Sequence, residues 1–144
     1  MAANTNPIFQ RLGDVSTNTT TGMVQPITAA ANDYTGISAN YQLIFTADST
    51  SGSFIERLRL KAAGTNVASV MRIFINNGTT QTTATNNWFY GEVALPATTA
   101  IATAPTIEID YPMGFAINPS YRIYAGLGTA VAGGWFCGAI GGPY

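Results

Sequence analysis

Histidine is absent from the 144 residues. That removes the commonest general base, the serine and cysteine triads in their usual form, and most transition-metal sites. Charge is scarce as well: Asp, Glu, Lys and Arg make up 9% of the chain, against roughly 25% in soluble globular proteins. With 6 Lys plus Arg against 7 Asp plus Glu, no basic surplus exists to neutralise several phosphates, so nucleic acid is not expected as a partner. The single cysteine, Cys137, excludes an intrachain disulfide; flanked by Trp135, Phe136 and Ala139, it reads as a small buried hydrophobe. No apolar run reaches the roughly 18 residues that cross a bilayer as a helix, and no membrane partner is expected. The opening Met1-Ala2-Ala3-Asn4-Thr5-Asn6-Pro7 has neither a basic start nor an apolar core. A signal peptide is therefore not expected, and assembly is expected in the cytoplasm.

What is present is apolar and uncharged. Hydrophobic residues account for 47% of the chain, enough at this length to close one core without disulfides or metals. Disorder needs low hydrophobicity and high net charge, and the net charge is -1. The surface falls to Thr, Asn, Ser and Gly. Such a surface repels other copies weakly, so part of it is expected to be buried against partner subunits.

The organisation changes near residue 36. Residues 1–36 are rich in Thr, Asn and Ala and lack periodicity, with the pairs Ile8-Phe9 and Met23-Val24 standing alone. They are expected to form an extended N-terminal arm lying on a neighbouring subunit; an ordered edge segment of the same sandwich and a frayed terminus are the alternatives. Residues 37–144 are expected to form a single β-sandwich domain.

Within that domain short β-rich runs alternate with turn clusters. The runs are Tyr41 to Thr46, Phe54 to Lys61, Val67 to Ile75, Trp88 to Leu95, Thr106 to Tyr111, Tyr121 to Leu127 and Trp135 to Ile140. The second run places Phe54, Leu58 and Leu60 on one face and Arg57, Arg59 and Lys61 on the other. Glu56 falls on the apolar face, where burial would demand a partner such as Arg72 or Arg122. Val67 to Ile75 is apolar throughout and is expected to be a central strand covered on both faces. Asn76-Asn77-Gly78 predicts a turn, and Gly141-Gly142-Pro143-Tyr144 closes the chain beyond the last run. No segment shows a sustained helical period. The predicted fold is all-β: a two-sheet antiparallel β-sandwich of jelly-roll type with an extended N-terminal arm.

Chemistry has few places to reside. Glu108 and Asp110 share a strand face and would stand about 7 Å apart, near the spacing of an inverting glycosidase, but no sugar-stacking aromatics are identifiable beside them. Two acids on the polar side of a strand are ordinary. Asp48-Ser49-Thr50-Ser51-Gly52 supplies one carboxylate and reads as a turn, not a calcium loop. Arg57, Arg59 and Lys61 read as a solvated or salt-bridged strand face. The glycines between Gly126 and Gly142 lack the Lys-Ser or Lys-Thr of a phosphate loop. No catalytic, cofactor or metal residue is assigned, and no enzymatic activity is expected. The aromatics Trp88, Trp135, Tyr90, Tyr124 and Tyr144 are candidates for a protein contact, with sandwich core as the alternative; Trp88 and Trp135 are expected in the core, whereas Tyr144 is the least core-like. Ile8, Phe9 and Arg11 in the arm, with Tyr144 at the tail, are the candidate protein-interface residues.

Particular strings carry a family likeness: Arg57-Leu58-Arg59-Leu60-Lys61-Ala62-Ala63-Gly64-Thr65-Asn66, Arg72-Ile73-Phe74-Ile75-Asn76-Asn77-Gly78, and Leu95-Pro96-Ala97-Thr98-Thr99. With Gly128-Thr129-Ala130-Val131-Ala132 and the closing Gly141-Gly142-Pro143-Tyr144, the chain resembles small virion structural proteins of tailed bacteriophages. The likeness spans the chain from about Asn40, and Ala3-Asn4-Thr5-Asn6-Pro7-Ile8-Phe9 fits it too. Such proteins commonly end in Gly-Gly-Asp-Tyr, from which Pro143 departs. The resemblance implies a capsid decoration, or cement, protein: a homotrimer on the capsid surface that binds the major capsid protein and stabilises the shell. A tail, neck or fibre component of the virion, or a carbohydrate-binding adhesion module, is the alternative.

Overall fold

The structure, a computed structural model, describes residues 11–12 and 25–143. Among them run eight strands: β1 Arg11–Leu12, β2 Gln42–Thr46, β3 Ser53–Ala62, β4 Ser69–Asn76, β5 Asn87–Leu95, β6 Glu108–Ile117, β7 Arg122–Leu127 and β8 Trp135–Pro143. A single 3-10 turn, Ala84–Asn86, interrupts the connection before β5. The strands form two antiparallel four-stranded sheets in the orders β1-β8-β3-β6 and β2-β7-β4-β5, packed as a β-sandwich.

The pairing has a simple logic. β4 pairs with β5, β3 with β6, β2 with β7 and β1 with β8, all antiparallel. These four pairs describe one long hairpin whose successive rungs alternate between the two sheets. Two further antiparallel pairings, β3 with β8 and β4 with β7, staple the hairpin to itself and make each sheet continuous.

The main core lies between the sheets and follows the pleat. From one sheet come Leu58, Leu60, Cys137, Ala139 and Trp135; from the other come Met71, Ile73, Ile123, Ala125 and Leu127, all fully buried. Here Trp135 behaves as the sequence predicts. The alternation in β3 does not run unbroken, however. The register slips between Ile55 and Arg57 against both neighbours: against β8 Glu56 is the extra residue that resets the phase, whereas against β6 the extra residue lies in β6, between Phe115 and Pro112. Ile55 therefore enters the core at 0% exposure while Phe54 is half-buried, reversing the expected facing of Phe54. The same bulge turns Glu56 out of the core to meet neighbouring Arg57, so neither Arg72 nor Arg122 is its partner.

The central strand β4 is covered on both faces along most of its length, as its composition predicts, although Val67 precedes it and is exposed. Its outer cover comes from the segment that precedes and opens β2. Ala31 and Tyr41 pack with Phe74 in a second small cluster, with Phe89 and Tyr124 at its margin. The segment carrying Ala31 belongs to the stretch the sequence assigns to the arm. From residue 25 it lies against its own sandwich: Ile27 exchanges backbone hydrogen bonds with Trp135, and Ala31 N donates to Leu127 O over 2.7 Å.

Two strand ends run past their expected limits for legible reasons. β6 continues beyond Tyr111 through Pro112 and Gly114 because it lies at a sheet edge, where a missing N–H and a positive φ of 68° at Gly114 are tolerated. β8 continues through Gly141 and Gly142 to Pro143, which pair with Ile55, Phe54 and Ser53. At the other end of the sandwich, buried Asn66 donates to Gly64 O, Thr98 Oγ1 and Gly134 O and accepts from the Gly133 and Gly134 amides. One side chain thus ties three connections together.

Candidate functional site

The strand order leaves one side of the sandwich unsealed. β5 ends one sheet and β6 ends the other, and among the described residues each is hydrogen-bonded along a single edge, β5 to β4 and β6 to β3. Their outer backbone groups are left for water or for another chain. Between the two edges a row of large side chains is only half-buried: Tyr90 from β5, and Ile109, Tyr111, Met113 and Phe115 from β6.

Local sequence sets this row up. β5 carries a register shift opposite Ile73 and Phe74, which leaves Tyr90 as the unpaired extra residue and aims it across the gap. There it meets Tyr111 at a ring-centroid distance of 6.2 Å and Phe115 at 5.4 Å. Gly91 makes room: a Cβ at that position would stand 2.5 Å from the Tyr111 hydroxyl oxygen. Burial, with the Tyr111 ring adding to it, pushes the Tyr90 phenol above its ordinary pKa. Beyond Tyr90 stands Trp88, edge to face with it at 5.5 Å and 63% exposed. The expectation that Trp88 belongs to the core is overturned. It pairs in register with Ile75 and so shares the inward face, but it lies at the open end of the sandwich, where its indole remains in solvent.

The flank of β6 carries charges, and they are paired. Arg59 Nη2 stands 2.8 Å from Glu108 Oε2, with Lys61 Nζ 3.5 Å from the same oxygen. Arg57 Nε lies 3.7 Å from Asp110 and also contacts Glu56. The hydrogen bond from Arg59, with its charge and that of Lys61, holds the Glu108 carboxyl below its ordinary pKa. The three cations form a salt-bridged strand face, with a carboxylate beside each. Glu108 and Asp110 in turn are held by these cations on an exposed surface, a poor setting for general acid catalysis.

Two further groups bear on reactivity. Cys137 is fully buried, and burial pushes its thiol up to about 12, far from the thiolate needed for nucleophilic work. Asp48 accepts from the amides of Thr50 and Ser51 at 2.9 and 2.7 Å and from the Ser51 hydroxyl. Those bonds lower its pKa and close a turn. Among the described residues no three His, Cys, Asp or Glu side chains are grouped to hold a metal ion.

Of the interface residues named from the sequence, Ile8, Phe9 and Tyr144 lie outside the described residues, and Arg11 is described as backbone paired with Gly141. Of the row the structure does assemble, Tyr90 is among the aromatics the sequence offers as interface candidates, whereas Tyr111, Met113 and Phe115 were missed. Their signal was present: alternation from Ile107 continues through Ile109, Tyr111, Met113 and Phe115, and Pro112 within it marks an edge strand. No family model, no curated protein and no solved structure matches the chain.

Proposed function

We propose that this chain is a structural subunit of a bacteriophage virion, a capsid decoration protein that joins copies of itself through the open side of its sandwich and seats on the major capsid protein. The observation that carries the reading is the half-buried aromatic row between the unpaired edges of β5 and β6. Apolar surface and unbonded backbone together form a surface suited to another protein chain. Three copies meeting at these open sides would bury the row around one axis and form the trimer that the resemblance implies. Shape-matched burial supplies the attraction, since a chain with 9% charged residues has little electrostatic steering to offer.

The fold reading extends in the same direction. The orders β1-β8-β3-β6 and β2-β7-β4-β5 are those of a rolled-up four-rung hairpin, and they support assignment to the jelly-roll class. In this account Ile8, Phe9, Arg11 and Tyr144 contact the shell, and the protein resides on the capsid surface after assembly in the host cytoplasm. The direct test is a density map of particles reassembled from undecorated shells and the purified chain. The proposal expects threefold density of this shape over junctions between major capsid subunits. Bare shells, or density confined to the tail, would overturn it. Deleting residues 1–9 is expected to lower occupancy on the same shells; unchanged occupancy would remove the arm from the contact.

A further inference from the structure

The end of β5 bears a second site with different chemistry. Trp88 forms one wall of a cleft of about 210 Å³, whose floor and rim include Ile75, Asn77, Thr85, Asn86 and Tyr121. The volume is below the roughly 300–1,000 Å³ of drug-sized ligands, so the cleft has room for one ring and not for an extended cofactor. None of its described lining residues is charged. Phosphates, carboxylates and ammonium groups would find no counter-ion here.

The cleft is built before any ligand arrives. Trp88 is braced edge to face by Tyr90, with planes at 88°, and Tyr90 rests in turn on Tyr111 and Phe115. The indole is therefore a supported platform despite its 63% exposure. Across the rim, Asn77 Nδ2 donates to Asn86 Oδ1 at 3.3 Å, and Asn86 Nδ2 donates to Thr80 O at 3.0 Å. The Asn77 Oδ1 atom accepts from the Thr79 amide at 3.2 Å. Each amide is oriented by these bonds while keeping a second N–H in hand. The hydroxyls of Thr85 and Tyr121 make no side-chain hydrogen bond to another described residue.

A flat apolar platform beside oriented amides and free hydroxyls selects a ligand with one C–H face and a polar, uncharged edge. We propose that this cleft binds a neutral pyranose, one ring of a saccharide, stacked on Trp88 with its hydroxyls bonded to the Asn77, Asn86, Thr85 and Tyr121 side chains. A protein loop anchored on Trp88 is the competing occupant. The observations favour the sugar, because the amides and hydroxyls converge beside the supported indole on a recess with room for one ring. The site adjoins the open side through Tyr90, but its lining includes none of the aromatic row proposed for assembly.

The chain itself supplies the reporter. It has two tryptophans, and Trp135 is wholly buried while Trp88 faces solvent, so iodide quenching reads Trp88. The full chain is titrated with the methyl glycosides of glucose, galactose, mannose and N-acetylglucosamine, and applied to an array of neutral and acidic glycans. At least one neutral glycoside is expected to blue-shift the emission and protect it from iodide. Trp88→Ala, with its circular dichroism unchanged, is expected to weaken array binding roughly tenfold or more. Asn86→Ala is expected to weaken it while leaving the Trp88 emission of the free protein intact. Absence of any neutral-glycan response, binding confined to acidic glycans, or full retention of binding by Trp88→Ala would overturn the site. A loss of subunit association in Trp88→Ala without any glycan response would assign the cleft to the competing protein contact.

Discussion

Tyr90 of β5 and Tyr111 of β6 meet edge to face with their ring centroids 6.2 Å apart. Where these two rings touch, the sheets approach each other through side chains and not through backbone bonds. The contact closes the core from within while leaving both strand edges unpaired, and the proposed function depends on that combination.

A buried arginine holds the outer cover of the second sheet. Arg72 donates from Nε to Glu92 Oε1, from Nη1 to Ala31 O and from Nη2 to the Tyr34 hydroxyl, each at 2.9 Å. Its guanidinium also lies 4.0 Å over the Tyr34 ring. Burial works against the charge, and the bonds to Glu92 and Tyr34 outweigh it, so the guanidinium is more firmly protonated than in water. Arg72→Met is expected to cost about 1.5–3 kcal/mol, Glu92 being exposed enough to rehydrate. Hydrogen exchange should quicken at residues 31–41 before it does in β3 and β8. Uniform acceleration across both sheets would contradict a local clasp.

Trp135 is buried, and its indole Nε1 has no hydrogen-bond partner among the described residues. Trp135→Ala is expected to cost about 3–5 kcal/mol through the cavity it leaves. Trp135→Phe keeps much of the ring and removes an unpaired N–H whose burial costs about 1–3 kcal/mol, so it should cost less than about 2 kcal/mol. Urea unfolding measures both. Equal losses in the two variants would mean the indole N–H is satisfied in solution.

The pH dependence of stability should be flat in the middle and steep at both ends. Burial raises the Cys137 thiol from 9.0 to about 12. Burial and then the Asp33 carboxylate raise the Tyr41 phenol from 10.0 to about 12. The folded state holds both protons longer than the unfolded chain does. Their contribution is therefore complete below the unfolded values and is lost as pH rises toward 12. At the acid end Asp33 is the more enclosed group. Burial alone would raise its pKa, but hydrogen bonds from Thr35, Ile37 and Gly36 outweigh it and bring the pKa below 3.8. Asp48 lies below 3.8 as well, through its bonds from Ser51 and Thr50. Their contribution is present above 3.8 and is lost as pH falls through the lower folded values. With no histidine to titrate between, the urea midpoint should stay level from about pH 5 to pH 8. Cys137→Ala should flatten part of the alkaline limb. A marked slope between pH 5 and pH 8 would contradict this account.

Much of the fold was legible because most strands obey a period of two, and the turn residues at Asn76-Asn77-Gly78 and Asn118-Pro119-Ser120 punctuate them. The sequence failed at bulges, where one inserted residue reverses the facing on one side of it relative to the other. Read with strict alternation, Phe54 enters the core; with Glu56 bulged, Ile55 does. The candidate site was less legible, since it depends on which strands end the sheets. Residue patterns along one strand do not report its neighbours, so Trp88 resembled a core aromatic. Pro112 was the local clue, because it disfavours a central position for β6.

Sedimentation equilibrium of the full chain, wild type beside Phe115→Asp, tests the proposed assembly most directly. The account predicts that the wild type sediments as a trimer and that Phe115→Asp, its circular dichroism retained, sediments as a single chain. A wild type that stays a single chain at the concentrations reached during assembly, or a trimer indifferent to a charge placed in the aromatic row, would contradict it.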